Sequence, residues 1–238
     1  MSIIPKNIFF YWSENIIPED ILNNVKNYRL LNPDFNVQII GEDSELLINA
    51  FKKYPEIYEI YKKIRIPACK SDVARIILLR NYGGIYIDCN TTIKKPLENL
   101  YNTIKHKDIV IGINLKTRDY STRILMSRKF SGHMKTILDI MYDNLNNLYI
   151  KENSTKEHIE YNILMLTGTG PFYKAFNRLE YLPDITCINL DNNKSIGYLD
   201  DASDYFKHYG CCTDFHHNKN SHLHWSERQK VEKLFLCN

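Results

Sequence analysis

No stretch of this sequence is apolar for long enough to cross a membrane. Met1–Phe10 combines no charged region, long apolar core or small-residue cleavage site, so no signal peptide is expected there. Cys69, Cys89, Cys187, Cys211, Cys212 and Cys237 include no C-x-x-C pair, which removes the usual dithiol and zinc-ribbon frameworks. The formal charge is only +3, too small to argue for nucleic acid as a partner. There is no internal repeat, no Gly/Ser linker and no low-complexity block. The nearest candidate for a seam, the polar run Asn144–Thr155, reads as a loop rather than a boundary.

What is present fits a globular chain. Of 238 residues, 44% are hydrophobic and 25% charged, which argues against wholesale disorder. That length supports one sizeable core, and a single domain over 1–238 is expected. Cys69 and Cys89 stand in apolar surroundings and read as small core residues, so a reducing, cytoplasmic setting is expected.

Periodicity supplies the elements. Ile8–Trp12 reads as a buried strand, Pro18–Tyr28 as a helix, Asn32–Asp34 as a turn and Asn36–Ile40 as a second strand. Ser44–Tyr61 is helical with a break near Pro55. Pro67–Tyr82 is the strongest helix, opened by Pro67, stopped by Gly83 and apolar nearly all round. Ile85–Asp88, Asp108–Leu115, Ile124–Phe130 and Thr186–Leu190 read as strands, and Gly132–Leu148 and Lys156–Leu166 as helices. Alternating apolar strands and helices predict an α/β fold with a mostly parallel sheet flanked by helices, and ligands at the carboxyl ends of its strands.

The chemistry concentrates in Lys70–Asn90. Asp88 ends an apolar strand, where a lone carboxylate needs a reason. Strand alternation would put Asp88 and Asn90 on one side, roughly 6–7 Å apart, within reach of one hard cation. The plainer reading is a strand-end turn in which both cap backbone N–H groups. Asp72 and Arg75, spaced i, i+3 on one helical face, are either an internal ion pair or a carboxylate and guanidinium aimed at a sugar and a phosphate. His208, His216, His217, His222 and His224 crowd the tail beside Cys211 and Cys212, but in no common zinc spacing. A zinc-dependent interaction domain built on that tail stands as a rival reading.

The order Asp72, Arg75, Gly83, Gly84, Tyr86, Asp88 resembles the DXD sugar-binding region of glycosyltransferases related to yeast initiating α-1,6-mannosyltransferases and bacterial capsular sugar transferases. It is also similar to the catalytic domain of the large clostridial glucosylating toxins. Ile4–Trp12 resembles the family's opening strand, Asn32–Phe35 its second-strand turn, Thr169-Gly170-Pro171 its Thr-Gly-Pro element, and His216-His217 with Trp225 its closing element. There are two departures. Asn90 replaces the second acid, and His222-Leu223-His224 separates Ser221 from Trp225.

The resemblance implies a GT-A fold and transfer of a hexose from a UDP- or GDP-sugar to a glycan, lipid-linked or protein hydroxyl, with retention at the anomeric carbon. It implies Mn²⁺ (or Mg²⁺) at Asp88 and Asn90, completed by His216 or His217. Asp72, Arg75 and Asp88 would be catalytic. Tyr11, Trp12, Asp72, Arg75, Tyr86 and Asp88 would bind the donor, with Trp12 on the base, and Thr169, Gly170 and Pro171 would lie on the acceptor side. Acceptor choice would fall to Lys116–Arg123 and Asn192–Ala202. The alternative is a catalytically inactive sugar- or nucleotide-binding module of the same fold.

Overall fold

The computed structural model describes residues 3–114, 119–176, 185–189, 202–208 and 224–236. Six of the described strands form a sheet in the order β2-β1-β3-β6-β5-β7. They are β1 (Asn7–Tyr11), β2 (Asn36–Ile40), β3 (Gly84–Ile87), β5 (Ile109–Asn114), β6 (Asp119–Ser127) and β7 (Ile185–Asn189). β1 pairs in parallel with β2 and β3, and β5 with β7, while β6 runs antiparallel to β3 and β5. A separate antiparallel pair joins β4 (Thr91–Ile93) to β8 (Phe206–His208).

The helices are α1 (Glu19–Leu31), α2 (Glu45–Phe51), α3 (Pro55–Lys63), α4 (Pro67–Tyr82), α5 (Glu98–Ile104), α6 (Gly132–Ser154), α7 (Ile163–Leu166), α8 (Gly170–Phe176) and α9 (Trp225–Arg228). One core cluster joins α2, α3, α4 and α6 to one set of sheet side chains, including Phe9, Tyr86 and Leu125. A second joins α1 and α5 to the alternate set, including Ile8, Ile85 and Met126. The layers therefore follow from strand alternation. Within α4, Val73, Ala74, Ile76, Ile77, Leu78 and Leu79 are fully buried. Each large aliphatic chain so placed contributes about 1.5–3 kcal/mol of transfer free energy. Cys69 and Cys89 are buried, as expected of small core residues.

Gly83 shows why α4 stops where it does. Its φ is 66°, and a Cβ there would come within 2.6 Å of the Lys129 backbone nitrogen and of Pro5. Gly84, at φ 121°, would meet the Asn7 carbonyl oxygen at 2.6 Å. The pair lets the chain leave α4 and enter the sheet against β1 without side-chain clash.

Four sequence expectations are corrected. The run Asn144–Thr155 is not a loop; it continues α6 to Ser154, because Leu145, Leu148 and Glu152 are buried at helical spacing while Asn147 and Asn153 are exposed. The stretch Lys156–Leu166 is helical only over Ile163–Leu166. Upstream groups bond the tail instead: Tyr161 Oη donates to the Glu232 carbonyl at 2.8 Å, and the Ile163 N–H donates to Gln229 Oε1 at 3.0 Å. β6 begins at Asp119, so Asp119–Arg123 is strand rather than acceptor loop. β3 ends at Ile87, one residue before Asp88. Among the described residues no helix is long and apolar enough to cross a membrane.

Candidate active site

The carboxyl ends of β1, β2 and β3 open at one end of the sheet. Residues 88–91 form a tight turn there, closed by the Thr91 N–H bonding to the Asp88 carbonyl at 2.9 Å. Asp88 and Asn90 are thus turn residues, and strand alternation does not set their geometry. The turn is fastened from below. Asn24 Nδ2 donates to the carbonyls of Cys89 (3.1 Å) and Thr91 (3.0 Å), Tyr28 Oη donates to the Thr91 carbonyl (3.1 Å), and the Cys89 thiol donates to the Tyr11 carbonyl (3.3 Å). Asn24 and Tyr28 carry no chemistry readable in sequence, yet they hold the turn.

Arg75 joins the two carboxylates. Its Nη2 lies 3.0 Å from Asp72 Oδ1 and 3.3 Å from Asp88 Oδ1. Nη1 donates to the Thr122 carbonyl at 2.7 Å, and Nη2 to Ser71 Oγ at 3.1 Å. The guanidinium stacks 4.5 Å from the Tyr86 ring centroid, and the Tyr86 hydroxyl is 2.8 Å from Ser71 Oγ. Tyr86 is 1% exposed, so it serves as the floor under Arg75 rather than as a donor-facing ring. Of the two readings of the i, i+3 spacing the internal ion pair is present, and the same guanidinium that pairs with Asp72 also reaches Asp88.

Asp72 is 7% exposed, and burial pushes its carboxyl up to about 6, against the pull of Arg75 and of a hydrogen bond from Thr167. Thr167 Oγ1 donates to Asp72 Oδ2 at 2.9 Å. Thr169, Gly170 and Pro171, expected on the acceptor side, follow two residues later. Those residues open α8. A Cβ at Gly170 would lie 2.5 Å from the Met165 carbonyl oxygen, so the glycine permits a close chain crossing that sets Thr167 against Asp72.

A cavity of about 450 Å³ lies beyond β1 and β2, lined by Trp12, Ser13, Glu14, Asn15, Glu42 and Asp43 among others. Trp12 is half-buried, and its Nε1–H donates to the Ile16 carbonyl at 3.0 Å, which fixes the indole plane at the cavity. Tyr11 is not in the lining. Its ring is buried and its hydroxyl meets Tyr61 Oη at 2.8 Å. Lys70 pairs with Glu42 at the edge of this cavity.

His216 and His217 lie outside the described residues, as do His222, Cys211 and Cys212. Of the other tail histidines, His224 accepts from the Ser226 N–H at the start of α9. His208 is brought beside the turn by the β4–β8 pairing, its Nδ1 3.3 Å from Thr91 Oγ1. Burial, aided by the charge of Arg123, pushes its imidazole down to about 4 and keeps it neutral. Nothing in the sequence pairs residue 91 with 208; only the strand register does. Among the described residues no three His, Cys, Asp or Glu side chains cluster as a metal cage.

Residues 18–109 match the family described as the glycosyltransferase sugar-binding region containing DXD motif. The match spans α1 to the start of β5 and so includes α4, β3 and the 88–91 turn. An uncharacterized glycosyltransferase of Acanthamoeba polyphaga mimivirus, L373, is 23% identical over 99% of this chain and 89% of its own length. Inositol phosphoceramide mannosyltransferase 1 of Schizosaccharomyces pombe is 30% identical over 42% of this chain, but the match covers only 32% of that protein. The initiation-specific alpha-1,6-mannosyltransferase of Saccharomyces cerevisiae is also among the relatives. Among solved structures, the PaToxG glycosyltransferase aligns with a TM-score of 0.56 at 21% identity, over 74% of this chain and 69% of that one. The fold is therefore of the GT-A type, a mostly parallel sheet between helical layers. Residues 18–109 are similar to the sugar-binding region of the DXD-type glycosyltransferases.

Proposed function

We propose that this chain transfers a hexose from a nucleoside diphosphate sugar to a hydroxyl acceptor, with retention at the anomeric carbon. The observation that carries the reading is the single guanidinium, Arg75, held between Asp72 and Asp88 at the same end of the sheet as the Trp12 cavity. Retention is proposed on the motif resemblance alone.

In this reading Trp12 stacks on the base. Arg75 places planar N–H donors toward the sugar and phosphate, and Asp72 accepts from sugar hydroxyls while Thr167 and Arg75 fix its orientation. Asp88 and Asn90 offer hard oxygen donors of the kind Mn²⁺ or Mg²⁺ takes, and they fit such a cation if the diphosphate supplies the remaining positions. When bound, the cation would neutralise charge on the departing diphosphate. The Thr169–Pro171 segment is proposed to border the acceptor, which would be a glycan, a lipid-linked sugar or a protein.

The test is thermal melting of the chain with UDP- and GDP-sugars, with and without Mn²⁺, followed by assay of donor hydrolysis. A ligand at 100 times its Kd adds about 2.7 kcal/mol of stability, so even a slow enzyme reveals its donor. Hydrolysis that Asp88→Ala abolishes, with the melting of the free protein retained, is the expected result. Stabilisation without turnover would favour the inactive binding module. No stabilisation by any nucleotide sugar would sink the proposal.

A further inference from the structure

The opposite end of the sheet, where the parallel strands begin, has a different character. There α4 ends, β6 ends, and the chain passes from α2 to α3. Phe130 stands in this surface, half exposed, at φ 61°, a backbone conformation that bulky side chains rarely adopt. Its N–H is spent on the Arg80 carbonyl at 2.9 Å, which holds the ring outward. Three cations crowd that one ring: Lys53 Nζ at 4.7 Å, Lys129 Nζ at 4.8 Å and the Arg80 guanidinium at 5.4 Å from its centroid.

A phenyl face attracts a cation, but it does not neutralise three. Among the described residues no carboxylate forms an ion pair with Lys53, Arg80 or Lys129, whereas Lys6 and Arg128 at the same end have acidic partners. Two Arg80 nitrogens, Nε and Nη1, are sealed from solvent and meet no acceptor. An outward aromatic ringed by unanswered positive charge matches an interface that is anionic outside and apolar beneath.

We propose that this end of the molecule docks on an anionic lipid bilayer, with Phe130 entering the headgroup layer and Lys53 and Lys129 facing lipid anions. A soluble acidic partner would satisfy the charges but leave no reason to turn a phenylalanine outward. The bilayer satisfies both. Docking here points the Trp12 cavity and the Asp88 turn away from the lipid surface, so the donor site stays open to water. The proposal does not depend on the chain being a sugar transferase.

The test is cosedimentation of the full chain with phosphatidylcholine vesicles, with and without phosphatidylserine, across a salt series. Binding is expected only with phosphatidylserine and weakens as salt rises. Each lysine near such a surface is worth about fivefold in binding, so Lys53→Glu with Lys129→Glu should weaken it at least about 25-fold. Phe130→Trp should show a blue-shifted emission on the same vesicles. If the double reversal does not fold, Lys53→Gln and Lys129→Gln are read singly. Equal binding to pure phosphatidylcholine, binding that survives the lysine changes, or displacement by inorganic phosphate well beyond that by chloride at the same ionic strength would each overturn it.

Discussion

Replacing Arg75 by lysine would keep a positive charge but lose the planar fork that reaches Asp72, Asp88, Ser71 and the Thr122 carbonyl together. Donor turnover should fall by about 100-fold or more, the scale for losing one fixed donor in a preorganised site. The melting temperature should change much less, and a loss of turnover that merely tracks lost folded protein would make Arg75 structural. Asp72 gives a pH signature. Its carboxyl rises from 3.8 to about 6 on folding, so the folded protein holds a proton there that the unfolded chain has released. Stability from this group is complete below 3.8 and is lost as pH rises through about 6. Asp72→Asn does not titrate, so its stability relative to the native chain should improve as pH is raised across that window and then level off. Chemical denaturation at a series of pH values checks the sign. These side chains were legible because each is a charged residue in an apolar setting. Thr167 was not. A threonine beside two glycines reads as loop, and its contact with Asp72 exists only because α7 and α8 cross closely at Gly170.

At the scale of elements, α4 and β3 depend on two glycines between them. Gly83→Ala would force a side chain into a conformation reserved for glycine and against the Lys129 backbone and Pro5. A backbone penalty of about 1–3 kcal/mol is expected before any clash is counted. Urea titration should show a lower midpoint with an unchanged slope. The helix–Gly-Gly–strand unit was readable with its boundaries nearly intact, because a long apolar helix, a glycine stop and a short apolar strand all agree locally. The region after Asn144 was misread for the converse reason. Its polar composition describes the outer face of α6, while the inner face is made by only a few side chains, Glu152 among them. The helix expected over Lys156–Leu166 yields to bonds from the tail, which no local pattern records. The β4–β8 pair was missed because strands so short leave no period to count.

Across the whole molecule, the tail closes the structure. Ile64 bridges to Phe235, the Arg65 N–H bonds to the Leu234 carbonyl at 2.8 Å, and buried Glu152 accepts the N–H groups of Leu234 (2.8 Å) and Phe235 (3.1 Å). Removing residues 224–238 would expose the apolar surface that Leu234 and Phe235 cover and take both N–H donors from the Glu152 carboxylate. The loss of several kcal/mol approaches the 5–15 kcal/mol that holds a typical domain together. The shortened chain should unfold without a sharp urea transition. A cooperative transition at the native midpoint would show that the tail is dispensable.

The same tail sets a timetable for synthesis. Ile64 emerges from the ribosome long before its partner Phe235, and Gln229 Oε1, which receives the Ile163 N–H just upstream of Thr167, follows 66 residues after that amide. Contacts between such distant positions form late, because the intervening loop must first be made and closed. The nascent chain can thus assemble β1, β2 and α4 early, while the support for the segment carrying Thr167 arrives only once Gln229 has left the tunnel. A translation product arrested before residue 229 would hold the 88–91 turn without that support.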